Sequence, residues 1–326
     1  AHQLYKTLIE PLGPLSQELI IVPDGVLGHL PFEILLKEKP EEAHHFDSHA
    51  YLIHDHTFAY NFSATLWQLM RQKKYRSDGL LSMAPSFPAT ASENMTKARQ
   101  RKLGPLLYNT AEVEAVQGLL GGKNLGGSAA TLSQFKQHAP SYKFIHLATH
   151  AQLEDRDINY SFLAFSPSID SSGSDKLFIR DLYDLRLACD MVVLSACETG
   201  VGKWQSGEGI VSLARGFAYA GAKSIITSLW SANDRSTAQV MENFYTNLKA
   251  GLSKKEALRQ AKLEFLSSQK DPLNTHPFYW ATFVPIGDLE ASINTSSYAS
   301  TSWLWCFLLI VLFSCFVWLP AKFSRK

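Results

Sequence analysis

Lys143-Phe-Ile-His-Leu-Ala-Thr-His150 and Met191-Val-Val-Leu-Ser-Ala-Cys197-Glu-Thr-Gly200 end alike. Each is a short, largely apolar run, then a small residue, then one reactive side chain: an imidazole at His150 and a thiol at Cys197. Apolar runs of roughly four to six residues bounded by turn-formers fit strands buried on both faces of a parallel sheet. In such sheets functional groups sit just beyond the carboxyl ends of the strands. Two neighbouring strands would then hold imidazole and thiol side by side. A thiol with a pKa of about 8.5 is only a few per cent ionised at neutral pH, so attack on a peptide carbonyl needs an adjacent base. An imidazole takes that proton, or as imidazolium stabilises the thiolate, and later protonates the leaving amine. Backbone N–H groups in the turns after His150 and around Cys197 would receive the oxyanion.

His146 lies four residues before His150, and an even offset puts both on one sheet face. It is expected as a neighbour that supports the base, or as the base itself. Cys189 precedes the second run and lies away from its carboxyl end, so Cys197 is the expected nucleophile. From Lys143 to Glu198 there are nine acids and five bases. Glu154, Asp155, Asp157 and Glu198 would make the crevice edge acidic and favour a cationic substrate side chain.

Around these runs the pattern alternates strand and helix, which points to an α/β sheet with helices on both faces. Strands are expected near 18–22, 79–84, 123–125, 161–165 and 224–229, with a strand pair in 51–60 and a last, edge strand at 278–285. Helices are expected over 63–71, 111–120, 131–138, 208–219, 236–248 and 254–266. A polar helical stretch precedes residue 18. Residues 86–101, with Lys97, Arg99, Arg101 and Lys102 in or beside them, read as an exposed loop open to proteolytic nicking.

Composition excludes several classes. The 326 residues are 46% hydrophobic with a net charge of +1, enough for a large core but lacking the basic excess of a nucleic-acid binder. Gly121-Gly122 and Gly126-Gly127 form no phosphate-cradling loop, which argues against a nucleotide-binding domain. The four cysteines have no metal-ligand spacing, and a disulfide framework is not expected. His44, His45, His49, His54 and His56 crowd thirteen residues, but their spacings suit no standard metal site. No metal and no cofactor are expected.

The motifs also carry a resemblance. His-Leu-Ala-Thr-His150-Ala and Leu-Ser-Ala-Cys197-Glu-Thr-Gly resemble the His and Cys motifs of CHAT domains, caspase-like cysteine peptidases often attached to TPR repeats. Gly207-Glu208-Gly-Ile-Val-Ser-Leu-Ala-Arg-Gly-Phe-Ala-Tyr-Ala-Gly-Ala-Lys-Ser-Ile-Ile-Thr-Ser-Leu-Trp230, followed by Asp234, is similar to that family, as is the opening Ile-Val-Pro23-Asp24-Gly25-Val-Leu-Gly-His-Leu-Pro31-Phe32-Glu33. The resemblance implies a caspase-type α/β fold with His150 as base and Cys197 as nucleophile. It also implies protein substrates, an upstream TPR or other sensor region, and Trp230 and Asp234 near the substrate. Ala151 stands where caspase-type enzymes often carry glycine; it keeps the N–H that would join that of Cys197 in the oxyanion hole. The alternative within the family is a catalytically silent module that binds protein partners.

The expected organisation is the end of an upstream helical region at 1–18, the peptidase-like domain at 19–287, a polar linker at 288–302 and a membrane-spanning helix at 303–319. A basic tail follows at 320–326. Seventeen uncharged, largely apolar residues with tryptophan near both ends suit a short bilayer span. Three Lys/Arg in the tail against none in 280–302 favour a cytoplasmic tail, whereas a thiolate is easier to keep reduced in the cytosol.

Overall fold

The computed structural model describes residues 1–290 except 43, 75–77, 88–102, 155–156, 169–174, 199–208 and 231–233, and only the backbone of 197–198, 209–211 and 234. Two compact units are distinguished, Ala1–Ser292 and Ile293–Lys326; the second lies outside the described residues.

The first unit is built on one ten-stranded sheet. Its strands are β1 (Glu18–Ile21), β2 (Thr57–Tyr60), β3 (Leu80–Pro85), β4 (Lys123–Gly127), β5 (Phe144–Gln152), β6 (Phe162–Ala164), β7 (Lys176–Phe178), β8 (Met191–Glu198), β9 (Ser224–Ser228) and β10 (Phe283–Gly287). The order is β1-β2-β10-β9-β8-β5-β3-β4, with β6 pairing the end of β5 and β7 pairing β6. β9, β8, β5, β3 and β4 run parallel; β10 is antiparallel to β9, and β2 and β1 follow its direction. The sheet is thus largely parallel, in a mixed α/β fold.

The helices are α1 (His2–Leu8), α2 (Ala64–Gln72), α3 (Asn109–Leu120), α4 (Leu132–His138), α5 (Ile179–Leu182), α6 (Gly209–Ala220), α7 (Asp234–Lys249), α8 (Lys254–Ser268) and α9 (Pro277–Trp280). Local chemistry starts several of them. Ser63 accepts from the Leu66 N–H, Thr131 from the Gln134 N–H, and Ser253 with Glu256 forms a capping box for α8. Ile145 and Leu147 of β5 share the main core with Phe135 of α4, Leu182 of α5 and Phe217 of α6. On the other face His146 meets α3 and α7. Helices therefore cover both faces, as the alternating pattern predicts. Gly221, at φ 129°, ends α6 where an added Cβ would lie 1.9 Å from the Leu187 carbonyl oxygen, so only glycine fits that turn.

Three expectations are corrected. Residues 51–60 form no strand pair: Tyr51 makes an isolated bridge to Leu36, a 3-10 turn follows at Leu52–His54, and only Thr57–Tyr60 is a strand. The last strand begins at Phe283, after a helical turn that Pro277 opens, and it lies between β2 and β9 rather than at an edge. The single-pass membrane anchor is overturned: among the described residues no helix is long and apolar enough to cross a membrane. The 303–319 stretch on which that expectation rested, and the basic segment around Lys97, Arg99, Arg101 and Lys102, lie outside the described residues.

Buried charge joins the sheet to α8. Glu33 accepts from Lys262 at 2.6 Å and from the Tyr60 hydroxyl at 2.6 Å, while Lys262 also donates to the Phe283 carbonyl at 2.6 Å. The Phe32 N–H donates to the Tyr60 oxygen at 2.7 Å. The Pro31-Phe32-Glu33 segment thus ties the chain start to β2, β10 and α8. Removing one member of a buried pair leaves the other charge uncompensated, at a cost of about 3–5 kcal/mol. Lys262→Met should lower stability by about that amount, whereas Glu33→Leu/Lys262→Met should recover most of the loss. Denaturant midpoints test this; equal losses in single and double variants would show that the pair is not the stabilising unit.

Candidate active site

β5 and β8 lie side by side in parallel register from Phe144↔Met191 to Ala151↔Glu198, and within that run His150 stands level with Cys197. Neighbouring strands are about 4.8 Å apart. The expected juxtaposition of these two positions at the carboxyl end of adjacent strands is therefore present in the backbone. The side chains of Cys197 and Glu198 lie outside the described residues.

The His150 imidazole is 5% exposed. Its Nε2 donates to the Gly104 carbonyl at 2.7 Å, and the Phe87 ring lies against it with centroids 4.7 Å apart. Donation through Nε2 leaves Nδ1 with the basic lone pair. Both contacts come from the chain that leaves β3, and nothing in the sequence around His150 signals them. Phe87 packs with Phe162 of β6, so that strand backs the ring that backs the histidine.

His146 is fully buried. Its Nε2 donates to Glu112 at 3.0 Å and its Nδ1 lies 3.0 Å from the Tyr245 hydroxyl. Burial, reinforced by the Glu112 charge, holds the Tyr245 hydroxyl well above its usual range. His146 is level with Val193, four residues before Cys197 on β8, or roughly 13 Å at 3.3 Å per residue. Both ring nitrogens are engaged, which suits a structural post better than a proton acceptor at Cys197.

The expected turn after His150 is absent, because β5 continues through Gln152 and pairs with β6 at Ala151↔Leu163 and Gln152↔Phe162. Ala151 is therefore in extended backbone and buried, where a residue with a Cβ is at ease. Two of the four acidic residues have local contacts that the structure describes. Asp157 accepts from the Asn159 N–H at 3.0 Å and starts a 3-10 turn, and the Glu154 N–H donates to the Ser161 hydroxyl at 2.9 Å. Asp155 lies outside the described residues. The Trp230 indole donates to the Phe278 carbonyl at 3.0 Å, and its own carbonyl accepts from the Thr282 hydroxyl at 2.9 Å, so it pins α9 and the approach to β10. Asp234 begins α7; its side chain is not among those described.

The histidine-rich loop is spent on structure. His49 bridges the Tyr51 hydroxyl and the Glu42 carbonyl, and His56 meets the Ser16 carbonyl at 2.8 Å. Among the described residues no cluster of three or more His, Cys, Asp or Glu could hold a metal ion.

A family model described as CHAT domain matches residues 1–288. Tetratricopeptide repeat protein 28 of Homo sapiens is 24% identical over 340 residues, covering 90% of this chain and 13% of its own length. The Mus musculus protein of the same name matches to the same extent. The chain thus spans about an eighth of these relatives. Among solved structures, the Arg-specific cysteine proteinase gingipain R aligns with a TM-score of 0.45 at 8% identity, over 73% of this chain and 55% of its own. A Saccharomyces cerevisiae separase–securin complex aligns with a TM-score of 0.45 at 9% identity, over 74% of this chain and 15% of its own.

Cys189 differs sharply from a reactive thiol. Burial, with the Asp190 charge adding to it, pushes its pKa up to about 12. At pH 8 only about one part in ten thousand would be thiolate. Peptide mapping after iodoacetamide treatment at pH 8 should find Cys189 unmodified in the folded protein and modified once it is denatured. Comparable labelling in both states would contradict the buried placement.

Proposed function

Because this chain belongs to the CHAT domain family, we propose that it is a cysteine-type endopeptidase, with Cys197 as nucleophile and His150 as its base. The observation that carries the proposal is the register that levels these two residues at the carboxyl end of the β5–β8 pair. The bond from Nε2 to Gly104 supports it by orienting the imidazole with Nδ1 as the basic nitrogen.

In this reading His150 takes the Cys197 proton and the thiolate sulfur attacks the carbonyl carbon of the scissile peptide. The tetrahedral oxyanion is received by a backbone N–H, for which Cys197 is the candidate; Ala151, expected to share that role, lies within β5 with β8 on one side and β6 on the other. The imidazolium then protonates the leaving amine as the C–N bond breaks and a thioester remains. Water hydrolyses that thioester, again with His150 accepting a proton, and the free thiol returns. No cofactor enters these steps. The acidic excess around Glu154, Asp155, Asp157 and Glu198 would favour Lys or Arg before the scissile bond. An upstream TPR-type region would supply regulation; the matching relatives are named as tetratricopeptide repeat proteins.

A second reading, a catalytically silent module that binds protein partners, is favoured by one observation: Phe87 and Gly104 cover a histidine that is only 5% exposed. Labelling by a thiol-reactive peptide probe distinguishes the two. Labelling at Cys197 that disappears in His150→Ala supports the enzyme; labelling indifferent to His150 supports the silent module.

Turnover gives the quantitative check. Cys197→Ala and His150→Ala should each lose at least about a thousandfold in kcat. Cys189→Ala should keep most activity, and His146→Ala should chiefly lower the melting temperature. Activity that survives His150→Ala but not His146→Ala would reverse the roles of the two histidines. On a peptide library, cleavage after Lys or Arg is expected, and a dominant preference for Asp at that position would end the acidic-edge idea.

A further inference from the structure

β8 outruns β9. The pairing of β8 with β9 ends at Leu194↔Thr227, whereas β8 stays level with β5 as far as Ala151↔Glu198. Ala196 and Cys197 therefore lie two and three residues beyond the last β9 pair. The chain leaving β9 leans towards β10 instead. The Leu229 N–H donates to the Thr282 carbonyl at 2.8 Å, and the Thr282 hydroxyl donates to the Trp230 carbonyl at 2.9 Å.

One side chain reaches back across that gap. The Ser228 hydroxyl donates to the Ala196 carbonyl at 2.7 Å, close to the optimum for an O–H···O bond, and lies 3.4 Å from the Leu194 carbonyl. Ser228 and Ala196 are both buried, so water does not readily take over the bond. A peptide unit is planar. Fixing the Ala196 carbonyl therefore fixes the plane that leads into the Cys197 Cα. On its other side the same stretch is held by β5, whose His150 stands level with Cys197.

The same strand carries a matched comparison. The Ser224 hydroxyl donates at 2.8 Å to the carbonyl of Asp190, the residue before β8, and Ser224 is also buried. The two serines thus make the same kind of bond from β9, one at each end of β8. Asp190 is seven residues from Cys197, roughly 23 Å at 3.3 Å per residue. Its carbonyl also accepts from the Ser224 N–H at 3.0 Å, so the strand start stays bonded without the hydroxyl.

We infer that Ser228 is a positioning residue for the nucleophile: its hydroxyl holds the overhanging end of β8 so that Cys197 meets His150. Attack on a carbonyl tolerates little misplacement, which is why a single bond next to the nucleophile matters. The inference rests on the cysteine-peptidase reading above, and its test separates the two.

Four variants of the full chain are compared with wild type: Ser228→Ala, Ser228→Thr, Ser224→Ala and His150→Ala. Circular dichroism checks the fold, and kcat and KM are measured on acetyl-Leu-Arg-aminomethylcoumarin. The pH midpoint for alkylation of Cys197 by iodoacetamide is followed by peptide mapping. Ser228→Ala and Ser224→Ala remove one oxygen each and should both lower the melting temperature. Only Ser228→Ala should lower kcat, by about tenfold, with KM nearly unchanged. It should also move the Cys197 midpoint up by about one pH unit, towards the ~8.5 of a free thiol. Ser228→Thr keeps the hydroxyl and should restore both readings.

If Ser228→Ala behaves like Ser224→Ala in kcat and midpoint, the bond is structural and the inference falls while the peptidase reading stands. Ser228→Thr as impaired as Ser228→Ala, with native circular dichroism, would also overturn it. A midpoint that moves in His150→Ala and Ser228→Ala, in a protein that cleaves nothing, would support the inference and sink the peptidase reading. A midpoint that moves in neither would sink both.

Discussion

The parallel pairing of β5 with β8 keeps eight residues level, from Phe144↔Met191 to Ala151↔Glu198. A slip of one residue in such a pair sends every side chain to the opposite face. The register is fixed where the strands begin. The Lys143 carbonyl accepts from the Asp190 N–H at 2.7 Å and from the Met191 N–H at 3.3 Å. The Asp190 carbonyl in turn accepts from the Ser224 N–H at 3.0 Å and from its hydroxyl at 2.8 Å, which sets β9 against β8. Asp190 also pairs with Lys254 at 3.0 Å, and both side chains are almost fully buried. Burial holds the Lys254 ammonium below its usual range, and Asp190 opposes that shift. Levelling His150 with Cys197 thus depends on a polar clamp at the other end of the sheet.

The same edge explains why α8 carries lysines on its inner side. Lys254, Lys255 and Lys262 are all buried, and each is matched by a carboxylate from another part of the chain: Asp190, Glu18 with Glu290, and Glu33. Such pairs add little net stability, because desolvation offsets the attraction, but a helix packed one turn out of place would strand them. They therefore specify where α8 docks, and through α8 the ends of β1, β2, β8 and β10. Hydrophobic contacts alone would tolerate a rotation of this helix more readily.

These features also mark where the sequence was legible. β3, β5, β8 and β9 were readable because strands buried on both faces are short apolar runs bounded by turn-formers. β10 was misplaced because Phe278-Tyr-Trp280 has strand-like composition, whereas Pro277 preorganises a helical turn there. The burial of the α8 lysines has no local signal, because charge on a helix normally faces water and only carboxylates distant in sequence reverse that. The partners of His146 were invisible for the same reason, since Glu112 and Tyr245 are 34 and 99 residues away in sequence. At the candidate site, the pairing of His150 with Cys197 was readable from two matching strand ends. Phe87 and Gly104 were not, because loop contacts carry no periodicity.

That difference has a physical consequence for function. The sheet and its polar clamp fix where the His150 and Cys197 backbones stand, and they would do so whether or not the pair reacts. Two loop groups bear on the imidazole: the Gly104 carbonyl, which accepts from Nε2, and the Phe87 ring, which limits its exposure. Loops can change without disturbing the register, because their contacts add little to a core formed by the strands and helices. One scaffold can therefore carry an active dyad or a silent one. On the proposed reading, a change in how Phe87 and Gly104 lie against the histidine would alter the dyad while the strands that bring the two residues together stay as they are.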